Sequence, residues 1–115
     1  MRNGLTITEN GTKSWYQNGE LHRVDGPAVE YPNGRKMWYQ NNLLHREDGP
    51  AAEWSDGTKE WYQHGQRHRI DGPAVEHSSS TKLWFIKGDI YSFDQWLEHT
   101  DYTEAQKTLM RLQYA

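Results

Sequence analysis

Three histidines, His22, His45 and His68, are each followed by an arginine (Arg23, Arg46, Arg69) and, three residues after the histidine, by an aspartate (Asp25, Asp48, Asp71). A carboxylate beside an imidazole can orient a general base, and three imidazoles at equal intervals could also be read as a row of metal ligands. Against catalysis, an enzyme assembles one site from different residues, whereas here the same trio returns with its neighbouring turn residues. That recurrence predicts a hydrogen-bond motif that maintains the fold. The aspartate is expected to accept amide hydrogens in the turn, and the histidine to bond a neighbouring backbone group or that carboxylate.

Metal binding is disfavoured for a geometric reason. Imidazoles in successive units of a sheet would stand two or more strand spacings of about 4.8 Å apart, too far for one ion held at roughly 2 Å from each nitrogen. The chain has no cysteine, which removes disulfides and thiolate ligands and suits a reducing cytoplasm. Ser78, Ser79 and Ser80 have no neighbour placed to activate them, so a loose turn is expected there. Every glycine reads as a turn residue, which leaves no phosphate-binding loop. No catalytic residue, metal or cofactor is expected, and the chain reads as a non-enzyme.

The elements that must position these residues come from a repeat. Trp15, Trp38, Trp61 and Trp84 lie 23 residues apart, and 14 of 23 positions are identical between Trp15 to Met37 and Trp38 to Glu60. Such self-similarity predicts supersecondary units that bury their apolar faces only on one another. Turn signals at Pro32 to Gly34 and Ser55 to Gly57, and again at Asn18-Gly19, Asn41-Asn42 and His64-Gly65, favour hairpins over helices. The Asp-Gly-Pro step breaks each strand ladder, because proline has no amide hydrogen. The fold class is therefore mainly β: an elongated antiparallel meander of 23-residue β-hairpin repeats with a small helical C-terminal cap. We expect a single domain over residues 1–115, with a capping strand and turn over 1–14, repeats over 15–88 and the cap over 89–115.

Alternation assigns faces. Trp15, Trp38, Trp61 and Trp84 are expected to form one stacked, buried ring row with Ala28, Ala51 and Ala74 beneath it. Tyr16, Tyr39, Tyr62 and Phe85 should form a half-exposed row on the opposite face. At the C-terminal end Ser92 with Gln95 forms a capping box for a helix carrying Phe93, Trp96 and Leu97. Thr103 with Gln106 caps a second helix running to Tyr114. Its stripe of Tyr102, Ala105, Leu109 and Leu112, with Met110 beside it, is expected to fold onto the sheet or to form a homodimer seam.

The formal charge is −3, with 16 acidic against 13 basic residues, which gives no general attraction to nucleic acid or anionic lipid. The recurring arginines and lysines are matched by Glu30, Glu53, Glu76 and the aspartates, so ion pairs across strands are the expected arrangement. No segment reads as a signal peptide or approaches the roughly 20 apolar residues of a membrane span. A cytoplasmic protein without membrane contact is the expectation.

The unit Trp-Tyr-x-Asn-Gly-x-x-His-Arg-x-Asp-Gly-Pro-Ala, at Trp15 to Ala28, Trp38 to Ala51 and Trp61 to Ala74, resembles repeats of small bacteriophage and giant-virus proteins and is similar to the wider MORN-like class. The ending Tyr91-Ser92-Phe93-Asp94-Gln95-Trp96-Leu97 resembles the phage version. Arginine stands where the ordinary MORN pattern has glycine, so lipid binding is not carried across. The resemblance implies hairpins laid side by side in an interaction scaffold, and a phage-type accessory protein that inhibits or redirects a host or phage protein, acting in the host cytoplasm. Tyr16, Tyr39, Tyr62, Arg23, Arg46 and Arg69 are the candidate binding residues. The alternatives are capture of a small nucleotide or signalling molecule in a groove between the sheet and the last helix, and a structural or assembly role.

Overall fold

The computed structural model describes residues 2–114. The fold is mainly β with a small helical C-terminal region, and measures 50 × 28 × 20 Å along its principal axes. The chain opens with β1 (Gly4–Ile7), β2 (Lys13–Gln17), β3 (Glu20–Leu21), β4 (Val29–Glu30), β5 (Lys36–Met37), β6 (Tyr39–Gln40) and β7 (Leu43–Leu44). It continues with β8 (Ala52–Glu53), β9 (Lys59–Glu60), β10 (Tyr62–Gln63), β11 (Gln66–Arg67), β12 (Val75–Glu76), β13 (Lys82–Ile86) and β14 (Asp89–Tyr91). Helices α1 (Phe93–Glu98) and α2 (Glu104–Tyr114) end it. One antiparallel sheet runs in the order β1-β2-β4-β5-β8-β9-β12-β13-β14 with β3 beside β2, and the pairs β6-β7 and β10-β11 form two small separate sheets.

The strands are shorter than the expected meander requires. Most span two residues, because Trp38 and Trp61 interrupt the run that is continuous around Trp15 and Trp84. At each interruption the tryptophan bonds in two directions. Its amide donates to the alanine of the Asp-Gly-Pro-Ala step (Trp38 N to Ala51 O, 2.7 Å), and its carbonyl accepts from the histidine amide (His45 N to Trp38 O, 3.0 Å). The chain therefore leaves the main sheet at the tryptophan, makes a two-residue hairpin, and returns.

Register is written in two rows of side chains. Lys13, Glu30, Lys36, Glu53, Lys59, Glu76 and Lys82 stand side by side across seven strands. Their alternating sign penalises any slipped pairing. The next row, on the other face, is Ser14, Val29, Met37, Ala52, Glu60, Val75 and Leu83. Val29, Met37 and Ala52 are buried there, with Leu21, Tyr31, Tyr39 and Leu44 packed against them.

Hairpin tips need left-handed backbone, and the residue types supply it. Asn18-Gly19, Asn41-Asn42, His64-Gly65 and Lys87-Gly88 all have positive φ, the geometry of a two-residue turn matched to strand twist. The turn at Ser78 to Ser80, expected to be loose, is closed by the same bonds as its counterpart. Ser80 N donates to His77 O and His77 N to Thr81 O, as Gly57 N does to Trp54 O and Trp54 N to Thr58 O.

Both helical caps form. Ser92 and Gln95 exchange backbone and side-chain bonds at the start of α1, and Thr103 and Gln106 do the same before α2. Trp96 and Leu97 are fully buried against Trp84, with Phe93, Tyr102, Met110 and Tyr114 around them. The face α2 turns inward differs from the expected stripe. Lys107 is buried between Glu98 and Glu104, while Leu109 and Leu112 remain 65% and 79% exposed. The rings of Tyr102 and Tyr114 fill the contact, so the helix is rotated to bring Met110 and Tyr114 to Trp84 and to leave the leucines outside.

A substitution inside the core row gives the first test. Glu60 stands one period after Met37, Arg67 after Leu44 and Trp54 after Tyr31. The buried Glu60 accepts from Trp54 Nε1 at 2.8 Å, from Arg67 Nε and Nη2 at 3.1 and 3.0 Å, and from Tyr62 OH at 3.3 Å. An apolar trio has been exchanged for a bonded polar one, and a buried charge left without its partner is far costlier than the pair replaced whole. Arg67→Leu alone is expected to lower unfolding stability by about 1–3 kcal/mol, discounted for the 43% exposure of Arg67. Adding Glu60→Met should recover most of that loss, a coupling read directly from a urea double-mutant cycle.

Candidate functional site

The face carrying the charge row also carries the repeated Trp-Arg-Asp constellation. Arg23, Arg46 and Arg69 lie over Trp15, Trp38 and Trp61 with guanidinium carbons 3.9, 4.0 and 3.8 Å from the ring centroids. Each Nε donates to the aspartate two residues on, Asp25, Asp48 or Asp71, at 3.1, 3.1 and 2.7 Å. Each Nη1 donates to the carbonyl of Pro27, Pro50 or Pro73, at 3.2, 3.0 and 2.9 Å. Arg23 and Arg69 also approach Glu30 and Glu76, at 3.9 and 3.7 Å.

The four tryptophans thus do not form one stacked row. Trp15, Trp38 and Trp61 are half-buried under guanidinium groups, which take the ring face a neighbouring indole would need. Trp84, with Ser92 where the arginine would fall, is the buried one and meets Phe93, Trp96 and Tyr114 instead. Ala28, Ala51 and Ala74 are fully buried. The aspartates accept from the arginine side chains rather than from turn amides, because the guanidinium folds back over the turn and reaches the carboxylate first.

The histidines serve the backbone of the next hairpin. Nδ1 of His22, His45 and His68 accepts from the amides of Asn41, His64 and Lys87, at 3.1, 2.9 and 3.0 Å. The residue after each donor bonds the carbonyl before each histidine: Asn42 N to Leu21 O, Gly65 N to Leu44 O and Gly88 N to Arg67 O, each 2.9 Å. A neutral ring that accepts at Nδ1 carries its proton on Nε2. For His45, which is only 5% exposed, that nitrogen faces Glu47 at 3.6 Å.

Between neighbouring constellations lie two clefts. The first, about 570 Å³, is lined by Val24, Asp25, Gly26 and Pro27 on one side and Trp38, Gln40, His45, Arg46, Glu47 and Asp48 on the other. The second, about 580 Å³, is lined by the residues 23 positions further on, Glu47 to Pro50 and Trp61, Gln63 and His68 to Asp71, together with Arg46. The first holds three carboxylates against one guanidinium, and the second three against two. Both therefore favour cationic groups, while offering Trp, Gln and His Nε2–H as neutral contacts.

The six expected binding residues do not converge. Arg23, Arg46 and Arg69 are on the cleft face, but most of their donors are spent on Asp and Pro. Tyr16, Tyr39 and Tyr62 are half-buried on the face opposite the clefts. Tyr39 packs on the Val29 and Met37 core, and Arg67 lies over Tyr62. Burial pushes the Tyr39 and Tyr62 phenols above their ordinary 10.0, with Glu60 adding to the effect at Tyr62. Gln40, Gln63 and Glu47 line the clefts and were not singled out from sequence; the 23-residue return of Gln17, Gln40 and Gln63 was the available signal. The groove expected between the sheet and the last helix is filled by the Trp84, Trp96 and Tyr114 rings.

Among the described residues no group of three or more His, Cys, Asp or Glu side chains is arranged to hold a metal ion, and no helix is long and apolar enough to cross a membrane. No family model, curated protein or solved structure matches the chain.

Two outcomes check this geometry. Arg46→Lys keeps the charge but loses the planar fork that reaches Trp38, Asp48 and Pro50 together, and is expected to lower stability by about 1–3 kcal/mol in urea unfolding. Burial, and then the nearby Lys87, hold the His68 ring below its ordinary 6.5. On acidification the unfolded chain takes up that proton first, so the contribution of His68 is complete above 6.5 and declines as pH falls through the folded-state value. The melting temperature should fall between pH 7 and pH 5, and less steeply in His68→Gln.

Proposed function

We propose that this protein is a non-catalytic binding protein built from 23-residue hairpin units, a phage-type accessory factor that attaches to a host or phage protein and inhibits or redirects it in the host cytoplasm. The observation that carries the reading is the pair of clefts whose linings match residue for residue at an offset of 23. Duplicated clefts on a braced face suit recognition of an extended partner surface, in which rigid, pre-organised aromatic and arginine groups lose little entropy on contact. An enzyme would need one of the two to differ.

The resemblance of the Trp-Tyr-x-Asn-Gly-x-x-His-Arg-x-Asp-Gly-Pro-Ala unit to phage and giant-virus repeat proteins, and to the MORN-like class, supports the accessory role. Nucleotide capture is the weaker reading. The cleft volumes suit a small ligand, whose sites span about 300–1,000 Å³, but carboxylates outnumber guanidinium groups in both, which repels phosphate.

Photo-crosslinking tests the proposal. Benzoylphenylalanine placed at the exposed Val24 or Glu47, one at a time, in the full chain expressed in phage-infected bacteria should give a discrete adduct with one protein. The same group at Lys59, outside both clefts, should give none. Absence of any adduct from Val24 and Glu47, or an adduct only with a second copy of this chain, would overturn it.

A further inference from the structure

The cleft pattern has a third position, and the protein fills it with its own chain. Advancing the second cleft by 23 residues gives Ile70 to Pro73 on one wall and Trp84 on the other. There α1 and the segment after it are seated. The Trp96 indole lies 4.6 Å from the Trp84 ring, and its Nε1 donates to Arg69 O at 2.9 Å. Tyr102 OH donates to Ile70 O at 2.7 Å. Gly72 and Pro73 are buried beneath them, whereas Gly26, Pro27, Gly49 and Pro50 in the open clefts are only half-buried.

The carbonyls equivalent to these two acceptors are free. Arg23 O and Val24 O in the first cleft, and Arg46 O and Glu47 O in the second, accept no hydrogen bond from any described residue. Each open cleft thus presents the same pair of acceptors that the cap satisfies with an indole N–H and a phenol O–H. Its rim differs in charge: the Asp25, Glu47 and Asp48 side chains are 88%, 82% and 88% exposed, and one oxygen of each aspartate is bonded to arginine.

We propose that the open clefts bind a polypeptide segment of the partner that presents a tryptophan or tyrosine flanked by lysine or arginine, docked as Trp96 and Tyr102 dock in the third position. The ring donor bonds Arg23 O or Val24 O in one cleft and Arg46 O or Glu47 O in the other. Trp38 and Trp61 are already covered by Arg46 and Arg69, so the incoming ring stacks on the outer face of the guanidinium, which accepts aromatic planes on both sides. The basic flanks pair with the rim carboxylates. The clefts lie two strand spacings apart, about 10 Å, so one extended segment can reach both. This assignment rests on the binding-protein reading and names the chemistry of its ligand.

The test titrates the ¹⁵N-labelled full chain with the tripeptide Lys-Trp-Lys and follows backbone amide shifts. Saturable shifts at residues 24–26 and 47–49 are expected, with binding about tenfold weaker for Lys-Ala-Lys and for Glu-Trp-Glu. Glu47→Lys and the milder Glu47→Gln, both at an exposed rim position, should weaken Lys-Trp-Lys while leaving shifts of the α1 and α2 amides unchanged. The assignment is overturned by no cleft shifts at millimolar peptide, by equal binding of Lys-Ala-Lys, or by oligothymidylate producing the same shifts. Cleft shifts absent while Val24 and Glu47 still crosslink a protein would remove the aromatic and basic assignment alone; absence of both results removes the binding reading with it.

Discussion

A planar guanidinium held between an indole face, a carboxylate and a proline carbonyl organises this molecule. Arg46 contacts Trp38, Asp48 and the Pro50 carbonyl at once, and Arg23 and Arg69 repeat the arrangement. Stacking on the ring contributes about 0.5–2 kcal/mol, and the two charge-assisted bonds fix the plane of the group. The intervening glycine is required by this approach. A Cβ at Gly26, Gly49 or Gly72 would stand 2.9, 2.8 or 2.7 Å from the guanidinium carbon, inside any tolerated contact. The Asp-Gly-Pro sequence is thus selected by the arginine that folds over it.

That clamp explains how very short strands make an ordered protein. Two-residue strands supply few ladder bonds, and a chain of 115 residues buries a limited share of its surface. The deficit is met by bonds that span units: a tryptophan amide to an alanine carbonyl, an arginine amide to the tyrosine or phenylalanine carbonyl of the next hairpin, and a turn amide to the preceding histidine ring. Each ties residues about one period apart, so a single position of slip would break all of them together. Substitutions within the core row, such as Glu60 for Met37, are then tolerated because the frame does not depend on that row alone.

Much of this was legible in the sequence, for identifiable reasons. Turn positions followed from Asn-Gly and Asp-Gly pairs, whose positive φ is a property of those residues. The capping boxes at Ser92 and Thr103 followed from local spacing. The partners of Arg23 and Asp25 were not legible, since strand alternation tells which face a side chain leaves from and not where a long, flexible one ends. Tryptophan rows suggested ring stacking, and only coordinates show the guanidinium already occupying the ring. The inward face of α2 was misjudged for a related reason: apolar spacing favoured Leu109 and Leu112, but the available space had the shape of Tyr102 and Tyr114. The clefts themselves were invisible to residue typing, because Gln40, Gln63 and Glu47 carry no chemistry that marks them out.

The C-terminal region shows what the repeated face does when its constraint is released. Replacing the arginine position by Ser92, and the Gly-Pro position by Gln95-Trp96, removes the guanidinium and the helix-breaking step together. Trp84 is then uncovered and α1 can form, and the indole that enters takes the carbonyl left by Arg69. One change in two adjacent motif positions therefore converts an open cleft into a closed end, with the same backbone acceptors used in a different way. An array that continued its motif unchanged would end on an exposed tryptophan cleft and an unpaired strand edge, both prone to self-association. Termination and recognition here draw on a single piece of surface chemistry, and the identity of one side chain beside each tryptophan decides which of the two that surface serves.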